Sequence, residues 1–156
     1  MLTIDIPGRE TLAVSQLVLD LNGTLATDGH VPPEIGARVR LLASAMNVCI
    51  LTADTFGTAS SLGELEAQVI RLGSGAQTEA KAAVVRSLGP TQTVAVGNGM
   101  NDEAMLREAA LGILVIGHEG AAVRSLLAAD MVVTSIQDAL DLLQYPKRLV
   151  ASLRTG

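Results

Sequence analysis

Short apolar runs alternate with segments of helical periodicity along most of the chain. The apolar runs predict strands at residues 2–6, 11–20, 48–51, 69–72, 93–96, 111–116 and 131–133. Segments with apolar residues on one helical face follow most of these runs and predict helices at about 32–46, 78–88, 102–109, 121–128 and 136–143. Strands that alternate with helices form a mainly parallel sheet covered on both faces. The pattern therefore predicts an α/β fold of three layers, α/β/α.

The length of the chain limits its domain organisation. A chain of 156 residues has the size of one domain with a single substantial core, so we expect one domain over residues 1–156. Residues 1–15 are expected to form an N-terminal strand region. Residues 145–156 are either a frayed basic end or a subunit contact. Residues 56–65 have no clear pattern.

The composition excludes several classes of partner. The chain is 49% hydrophobic but has one Tyr, one Phe and no Trp, so it lacks aromatic surfaces on which bases could stack. Its net charge of −5 provides no basic field for a polyanion. No apolar run is long enough to span a bilayer, and the N-terminus lacks a signal-peptide pattern. We therefore expect a soluble, cytoplasmic protein without nucleic-acid or membrane partners, whose single cysteine, Cys49, is a buried thiol.

Polar residues suited to phosphate chemistry follow several of the predicted strands. In a parallel sheet, ligands bind beyond the carboxyl ends of the strands, near a switch in strand order. Asp20 and Thr24 follow one strand, and Thr52 ends the next. Lys81 follows a glycine turn, and the loop 97–102 reads Gly-Asn-Gly-Met-Asn-Asp. Each signal is weak when taken alone.

Asp20 has two interpretations. Asn22-Gly23 between apolar residues is a strong hairpin signal, so Asp20 could cap an ordinary turn. Its apolar neighbours Leu19 and Leu21 instead suggest a buried carboxylate, which needs a partner. This stretch alone leaves turn and functional site equally open.

The other strand-end residues also have structural alternatives. Thr52 could be a satisfied hydroxyl or a helix cap, and Asp54 or Thr55 could cap a short helix. Lys81 falls in the first turn of its predicted helix, where a cation opposes the helix dipole, so it is either solvated or held by a bound phosphate or acyl-phosphate. The loop 97–102 is either a capped turn or a cation site with close backbone approach.

Taken together and in this order, these residues resemble the four motifs of the haloacid dehalogenase (HAD) superfamily. The resemblance covers about residues 17–130 and is closest to the phosphorylation domain of P-type ATPases. The loop 97–102 is similar to the GDGxND loop of those proteins, and their DKTGTLT signature is matched at Asp20, Gly23, Thr24 and Leu25. The resemblance implies a HAD-like, Rossmann-like fold and a P-type ATPase-like hydrolase of phosphate monoesters or phosphoanhydrides.

The resemblance also implies a role for each motif residue. Asp20 would attack phosphorus and form an aspartyl-phosphate, while Mg²⁺ and Lys81 offset the negative charge and Thr52 binds a phosphoryl oxygen. Thr24 would brace the loop. The implied substrate-binding residues are Thr52, Ala53, Lys81 and Asn101. The implied metal ligands are Asp20, the Asn22 carbonyl, Asn98, and Asp102 directly or through water.

Two residues depart from the family pattern. HAD phosphatases usually have an acid/base aspartate two residues after the nucleophile, where this chain has Asn22, and an amide cannot exchange that proton. Losing general acid catalysis costs on the order of a hundredfold or more, so we expect a slow phosphatase that favours leaving groups of low pKa. Asn98 stands where aspartate is common and removes one charge from the metal site. The alternative is a catalytically weak phosphate-binding, regulatory or partner-binding protein on this fold.

The spacing of the motifs limits what can be inserted between them. Only 31 residues separate Asp20 from Thr52, and 28 separate Thr52 from Lys81, so we expect no inserted cap domain. Residues 24–32 are expected to form a small hairpin flap beside the nucleophile. Water exclusion would then need a large substrate or a neighbouring subunit, as in a homo-oligomer. Both histidines lack a partner at metal-ligand spacing and are expected in surface turns.

Overall fold

The computed structural model describes residues 1–53 and 62–156 and has a six-stranded parallel sheet at its centre. In chain order, strands β1 to β8 are Leu2–Ile4, Leu12–Val14, Gln16–Asp20, Asn47–Thr52, Gln68–Arg71, Thr93–Gly97, Leu111–Val115 and Met131–Val133. The central sheet has the order β5-β4-β3-β6-β7-β8, and every neighbouring pair in it is parallel. The suggested caps Asp54 and Thr55, and residues 56–61 of the segment without clear pattern, lie outside the described residues.

Helices follow most of the central strands, as the sequence pattern predicts. In chain order, the described α-helices α1 to α6 are Pro33–Ala43, Gln77–Leu88, Glu103–Glu108, Val123–Ala128, Ile136–Gln144 and Pro146–Leu153. The start of α1 has the expected form, because Pro33 occupies a first-turn position where its missing N–H costs nothing. No helix within the described ranges is both long and apolar enough to cross a membrane.

Successive residues of the central strands point to opposite faces of the sheet. Leu17 and Leu19 pack in one buried cluster with α1, α5 and α6, whereas Val18 packs in a second cluster with α2 and α3. The neighbouring strand β4 divides in the same way, with Ile50 in the first cluster and Cys49 in the second. Because both faces are covered, these strands are apolar throughout rather than alternating. This confirms the predicted three-layer α/β/α fold.

The prediction of one strand over residues 11–20 is wrong, because this run contains two strands in different sheets. The segment β2 pairs with β1 in a separate antiparallel hairpin, whereas β3 is an interior strand of the main sheet. The change occurs at Ser15, whose N–H donates to the Gln92 carbonyl at 3.0 Å and whose carbonyl accepts from the Asn47 N–H at 2.9 Å. The polar pair Ser15-Gln16 lies at this change, but apolar residues continue on both sides of it, so the pattern predicts the burial of the run and not the change of partner.

The interpretation of residues 145–156 as a frayed end is also wrong. Residues 146–153 form α6, which begins with Pro146 in its first turn. Leu149 is fully buried in the cluster beneath α1 and α5, and Leu153 packs against that cluster. Helix α6 is therefore part of the core, and residues 154–156 after it are exposed.

The order of the strands creates a switch point beside β3. The chain passes from β3 to β4 and β5 on one side, and then crosses to β6, β7 and β8 on the other. Loops at the carboxyl ends of β3 and β6 therefore leave the sheet in opposite directions. The crevice between such loops is the usual ligand position in open α/β sheets.

Candidate active site

The polar residues at the strand ends lie together at the switch point. Asp20 is the last residue of β3, and the buried Thr52 is the last residue of the neighbouring β4. On the other side of β3, β6 ends at Gly97 and the next loop begins with Asn98. Because the three strands are parallel, their carboxyl ends share one edge of the sheet.

Lys81 links the two sides of this site. Its Nζ donates hydrogen bonds of 2.7 Å to Asp20 Oδ1 and 2.7 Å to Asp102 Oδ1, and its third bond, of 3.3 Å, goes to Asn101 Oδ1. The side chain is buried although it carries a charge, since all three N–H groups have partners. Lys81 is the fifth residue of α2, which begins at Gln77, so it lies just beyond the predicted first turn. The two carboxylates, rather than solvent, hold this ammonium group.

Asp102 lies behind Lys81 and is fully buried. Its Oδ2 accepts hydrogen bonds from the backbone N–H groups of Asn98 and Gly99, each at 2.9 Å, while Oδ1 accepts from Lys81. Gly97 allows this arrangement, because a β-carbon there would lie only 2.5 Å from Asp102 Cγ. Both oxygens of Asp102 are therefore engaged in orienting the loop and the lysine.

Thr24 joins Asp20 to the loop after β6. Its hydroxyl lies 3.0 Å from Asp20 Oδ2 and 3.1 Å from Asn98 Oδ1. A hydroxyl has one proton to donate, so it serves one of these oxygens at a time. This position agrees with the expected bracing role of Thr24.

The stretch around Asn22-Gly23 is partly the ordinary turn and partly the candidate site that the sequence left open. Residues 20–26 form a tight turn, in which the N–H of Leu25 donates to the Asp20 carbonyl and Gly23 has φ of 76°. The turn does not connect two antiparallel strands of the central sheet, because β4 lies parallel to β3. Instead, it directs Asp20 and Asn22 into the same cavity.

The expected flap within residues 24–32 is a short hairpin turn. Thr27 and His30 exchange two backbone hydrogen bonds of 3.0 Å. Asp28 and Gly29 between them both have positive φ, as the tight two-residue turn requires. His30 is exposed in this turn and His118 is exposed in the loop after β7, so both histidines lie in surface turns as expected.

A cavity of about 220 Å³ opens between these loops. Six of the residues selected from the sequence line it: Asp20, Asn22, Ala53, Lys81, Asn98 and Asn101. Sequence reasoning missed two further lining residues, Gln77 and Glu119. Gln77 accepts a hydrogen bond of 3.1 Å from the Asn101 side chain. Glu119 follows the carboxyl end of β7, so the strand-end rule applied to every strand could have found it.

The cluster has more negative than positive charge. Burial raises the pKa of Asp20 to about 6, and the negative charge of Asp102 raises it further toward this value. Two groups act in the opposite direction but offset the rise only in part. Lys81 lowers the pKa through its charge and its hydrogen bond, and Thr24 lowers it through its hydrogen bond. Burial also works against the charge of Lys81, but the two carboxylates outweigh it and raise its pKa. One ammonium group thus faces two buried carboxylates. When both carboxylates are ionised, the cluster has a net negative charge that favours the binding of a further cation.

Outside the site, the single cysteine is the buried thiol that the sequence predicts. Cys49 lies within β4, packs in the second apolar cluster and is unpaired. Burial raises the pKa of its thiol to about 11. A protonated and buried thiol is inert, so it takes no part in the chemistry of the site.

Solved structures identify the fold to which this geometry belongs. The deoxy-D-mannose-octulosonate 8-phosphate phosphatase of Haemophilus influenzae, in its cobalt-bound form, superimposes with a TM-score of 0.72 and 16% identity, covering 92% of this chain and 95% of that one. A candidate HAD family hydrolase of Streptomyces avermitilis has a TM-score of 0.62 and 21% identity, covering 92% and 86%. The chain has the HAD-like fold.

A third solved structure is a 3-deoxy-D-manno-octulosonate 8-phosphate phosphatase of Moraxella catarrhalis in complex with a magnesium ion, a phosphate ion and a KDO molecule. It has a TM-score of 0.66 and 18% identity, covering 90% of this chain and 94% of that one. At such identities the likeness establishes the fold alone.

Sequence comparison finds close but short matches. The uncharacterized protein MJ0073 of Methanocaldococcus jannaschii is 54% identical over 61 residues, which are 39% of this chain and 66% of that protein. The uncharacterized protein MJ0072 of the same organism is 44% identical over 39 residues, or 25% of this chain and 89% of that protein. The chain thus spans slightly less than two thirds of the first relative. No family model matches the chain.

Proposed function

We propose that this protein is a magnesium-dependent phosphohydrolase of the HAD superfamily that acts through an aspartyl-phosphate on Asp20. The observation that supports this most strongly is the buried bridge in which Lys81 Nζ lies 2.7 Å from both Asp20 and Asp102. A structural ion pair has no need for a second carboxylate, an amide-lined cavity and a position at the switch point. A site that binds and transfers a phosphoryl group uses all three.

The proposed reaction has two displacements at phosphorus. In the first, an Asp20 carboxylate oxygen forms a bond to phosphorus as the bond from phosphorus to the leaving oxygen breaks. In the second, water attacks the aspartyl-phosphate and releases inorganic phosphate and the free Asp20 carboxylate. Lys81 stabilises the negative charge on the phosphoryl oxygens, and Thr52, Ala53 and Asn101 are the proposed contacts to those oxygens.

The donor set around the cavity fits a magnesium ion. Mg²⁺ prefers oxygen ligands, keeps several of its waters and needs only one or two carboxylates. Asp20, Asn22 and Asn98 line the cavity with oxygen donors. Among residues 1–53 and 62–156, no three His, Cys, Asp or Glu are grouped as a complete cage would require. When bound, the ion would neutralise charge on the phosphoryl group and on Asp20.

Asp102 differs from the other proposed ligands. It does not line the cavity, and its oxygens already accept bonds from Lys81 and from the loop backbone. We propose that Asp102 contributes to the metal site through water or by positioning Asn98 and Lys81.

Asn22 sets the expected rate and substrate preference. It lines the cavity where an acid/base aspartate is usual, and its amide can neither protonate the leaving oxygen nor activate water. Turnover should therefore be slow and should depend strongly on the leaving-group pKa. The proposed substrates are small phosphate monoesters or phosphoanhydrides, with aryl and acyl phosphates cleaved faster than alkyl sugar phosphates.

A comparison of two variants with the wild type tests the proposal. Hydrolysis of an aryl phosphate with Mg²⁺ should be abolished in Asp20→Asn, because an amide is not a nucleophile. In Asn22→Asp, the rate should rise by about a hundredfold, most of all for alkyl phosphates, because general acid catalysis is restored. Activity that survives in Asp20→Asn would refute the nucleophile assignment.

The second candidate is a catalytically weak protein that binds phosphate for a regulatory or partner-binding purpose. It is favoured by Asn22 and Asn98, two neutral residues at positions where HAD phosphatases usually have aspartate. It predicts phosphate binding, measured by calorimetry, without turnover in either the wild type or Asn22→Asp.

A further inference from the structure

Glu119 lies over the turn that carries the proposed nucleophile. It belongs to the loop after β7, and it lines the same cavity as Asp20, Asn22 and Asn98. A β-carbon at Gly23 would collide with Glu119 Oε2 and would lie 2.9 Å from Asn98 Nδ2. The missing side chain of Gly23 therefore lets a carboxylate and an amide approach the same point of the turn.

Backbone hydrogen bonds fix the loop that presents Glu119. The Gly120 N–H donates to the Gly117 carbonyl at 2.9 Å, which closes a tight turn around Glu119. The Ala122 N–H donates to the Asn98 carbonyl at 2.9 Å, and Asn98 Nδ2 lies 3.4 Å from the Gly120 carbonyl. Asn98 thus holds the loop against the site.

The Glu119 carboxylate has no partner in the part of the chain that the structure describes. No cation or hydrogen-bond donor among those residues lies within bonding distance of it. Its charge adds to those of Asp20 and Asp102, against Lys81 alone. Glu119 is exposed, so water hydrates its carboxylate when no ion is bound, and the carboxylate is open to a cation that binds beside Asp20 in the same cavity.

We propose that Glu119 provides an anionic oxygen to the metal ion, either directly or through a metal-bound water, and so replaces the charge that Asn98 lacks. This inference rests on the proposed function, because it assigns a further residue to the same magnesium site. It explains why the neutral Asn98 is compatible with a cation site. Asn98 remains a neutral oxygen donor at the cavity, and it also holds the Glu119 loop in place.

Direct binding of Mn²⁺ as a probe for Mg²⁺, followed by electron paramagnetic resonance, tests the assignment. Glu119→Gln keeps the size of the side chain and removes its charge, and it should weaken Mn²⁺ binding by about tenfold or more. The matched control is Glu10→Gln, an exposed glutamate between β1 and β2, which should bind as the wild type does. The double variant Glu119→Gln/Asn98→Asp should recover much of the lost affinity, because it restores one carboxylate to the site.

A charge-conserving variant distinguishes a defined interaction of the Glu119 carboxylate with the metal ion from a general electrostatic attraction. Glu119→Asp withdraws the carboxylate by one methylene, so its affinity should fall between those of the wild type and Glu119→Gln. If Glu119→Gln binds Mn²⁺ as tightly as the wild type, or if Glu119→Asp does, the inference is wrong. Asp20-dependent hydrolysis would then still support the proposed function, whereas wild-type protein that binds no Mn²⁺ would refute both.

Discussion

At the scale of single residues, the buried Asp20 carboxylate makes the unfolding free energy of the protein depend on pH. Its pKa is raised to about 6 by burial and by Asp102, so the folded protein takes up this proton at a higher pH than the unfolded chain does. Ionised Asp20 therefore destabilises the fold above pH 6, and this penalty disappears as the pH falls toward the unfolded value of 3.8.

The first prediction uses Asp20→Asn in the presence of EDTA. At pH 7.5 the variant should be more stable than the wild type, by on the order of 1 to 3 kcal/mol, because it removes the charge but keeps an acceptor for Lys81. The gain should shrink through pH 6 and vanish near pH 4. Urea unfolding across this range measures it, and a variant less stable than the wild type at pH 7.5 would contradict the account.

Lys81 has the opposite effect, because it compensates two buried carboxylates. We predict that Lys81→Met lowers the unfolding free energy at neutral pH by about 3 to 5 kcal/mol and abolishes hydrolysis, since it leaves Asp20 and Asp102 unpaired. Adding Asp20→Asn should recover part of the stability. The exposed Lys147→Met is the control and should unfold as the wild type does. Equal unfolding curves for Lys81→Met and Lys147→Met would show that the bridge contributes nothing.

At the scale of elements, the loop after β6 depends on a close approach between Gly97 and Asp102. We predict that Gly97→Ala lowers the unfolding free energy by about 1 to 3 kcal/mol and reduces hydrolysis, because its β-carbon displaces Asp102 from Lys81. Gly73→Ala is the matched control, since a β-carbon there has no heavy atom within 4 Å. Thermal unfolding of both variants measures the difference, and equal melting temperatures would disprove the close approach.

The sequence predicts helices and strands well where the hydrophobic periodicity and the terminating residues indicate the same bounds. The bounds of α2 and β8 follow the predicted ranges closely, because glycine or proline residues or a short apolar run delimit them. The run 11–20 fails for a physical reason, since both sheets bury the same kinds of side chain. Pattern alone gives the burial of a strand but not its partner.

In the candidate site too, the sequence predicts local motifs but not the contacts between distant loops. The sequence could select Asp20, Lys81 and Asn98, because Asp20 ends a strand, Lys81 follows a glycine turn, Asn98 follows a strand, and all three match an ordered motif. The 2.7 Å bridge from Lys81 to Asp102 and the position of Glu119 over Gly23 depend on how distant loops pack. Such contacts leave no signal at fixed spacing in the sequence.

At the scale of the whole molecule, the C-terminal helix α6 completes the core on one face of the sheet. We predict that Leu149→Ala, which removes a fully buried side chain, lowers the unfolding free energy by about 2 to 5 kcal/mol. Leu41→Ala, on the exposed side of α1, should change it by less than about 0.5 kcal/mol. Chemical denaturation compares them, and equal losses would mean that α6 is not part of the core.

The architecture places a small, open cavity at the switch point of a HAD-like fold. The segment between β3 and α1 contains a tight turn, in which Asn22 lines that cavity, and a short hairpin at residues 27–30, which does not line it. A single domain over residues 1–156, a cytoplasmic location and a homo-oligomer that shields the site stay predictions. Because the proposed substrates are small, a subunit contact is the expected means of excluding water from the cavity.

Trapping the phosphoenzyme shows whether Asp20 accepts the phosphoryl group. Wild-type protein is mixed with an aryl phosphate and Mg²⁺ and quenched in acid, and its peptides are analysed by mass spectrometry. We expect a phosphate group on Asp20, which accumulates because Asn22 does not assist its hydrolysis, and no modification in Asp20→Asn. Phosphate on another residue, or hydrolysis that proceeds unchanged in Asp20→Asn, would contradict this role of Asp20.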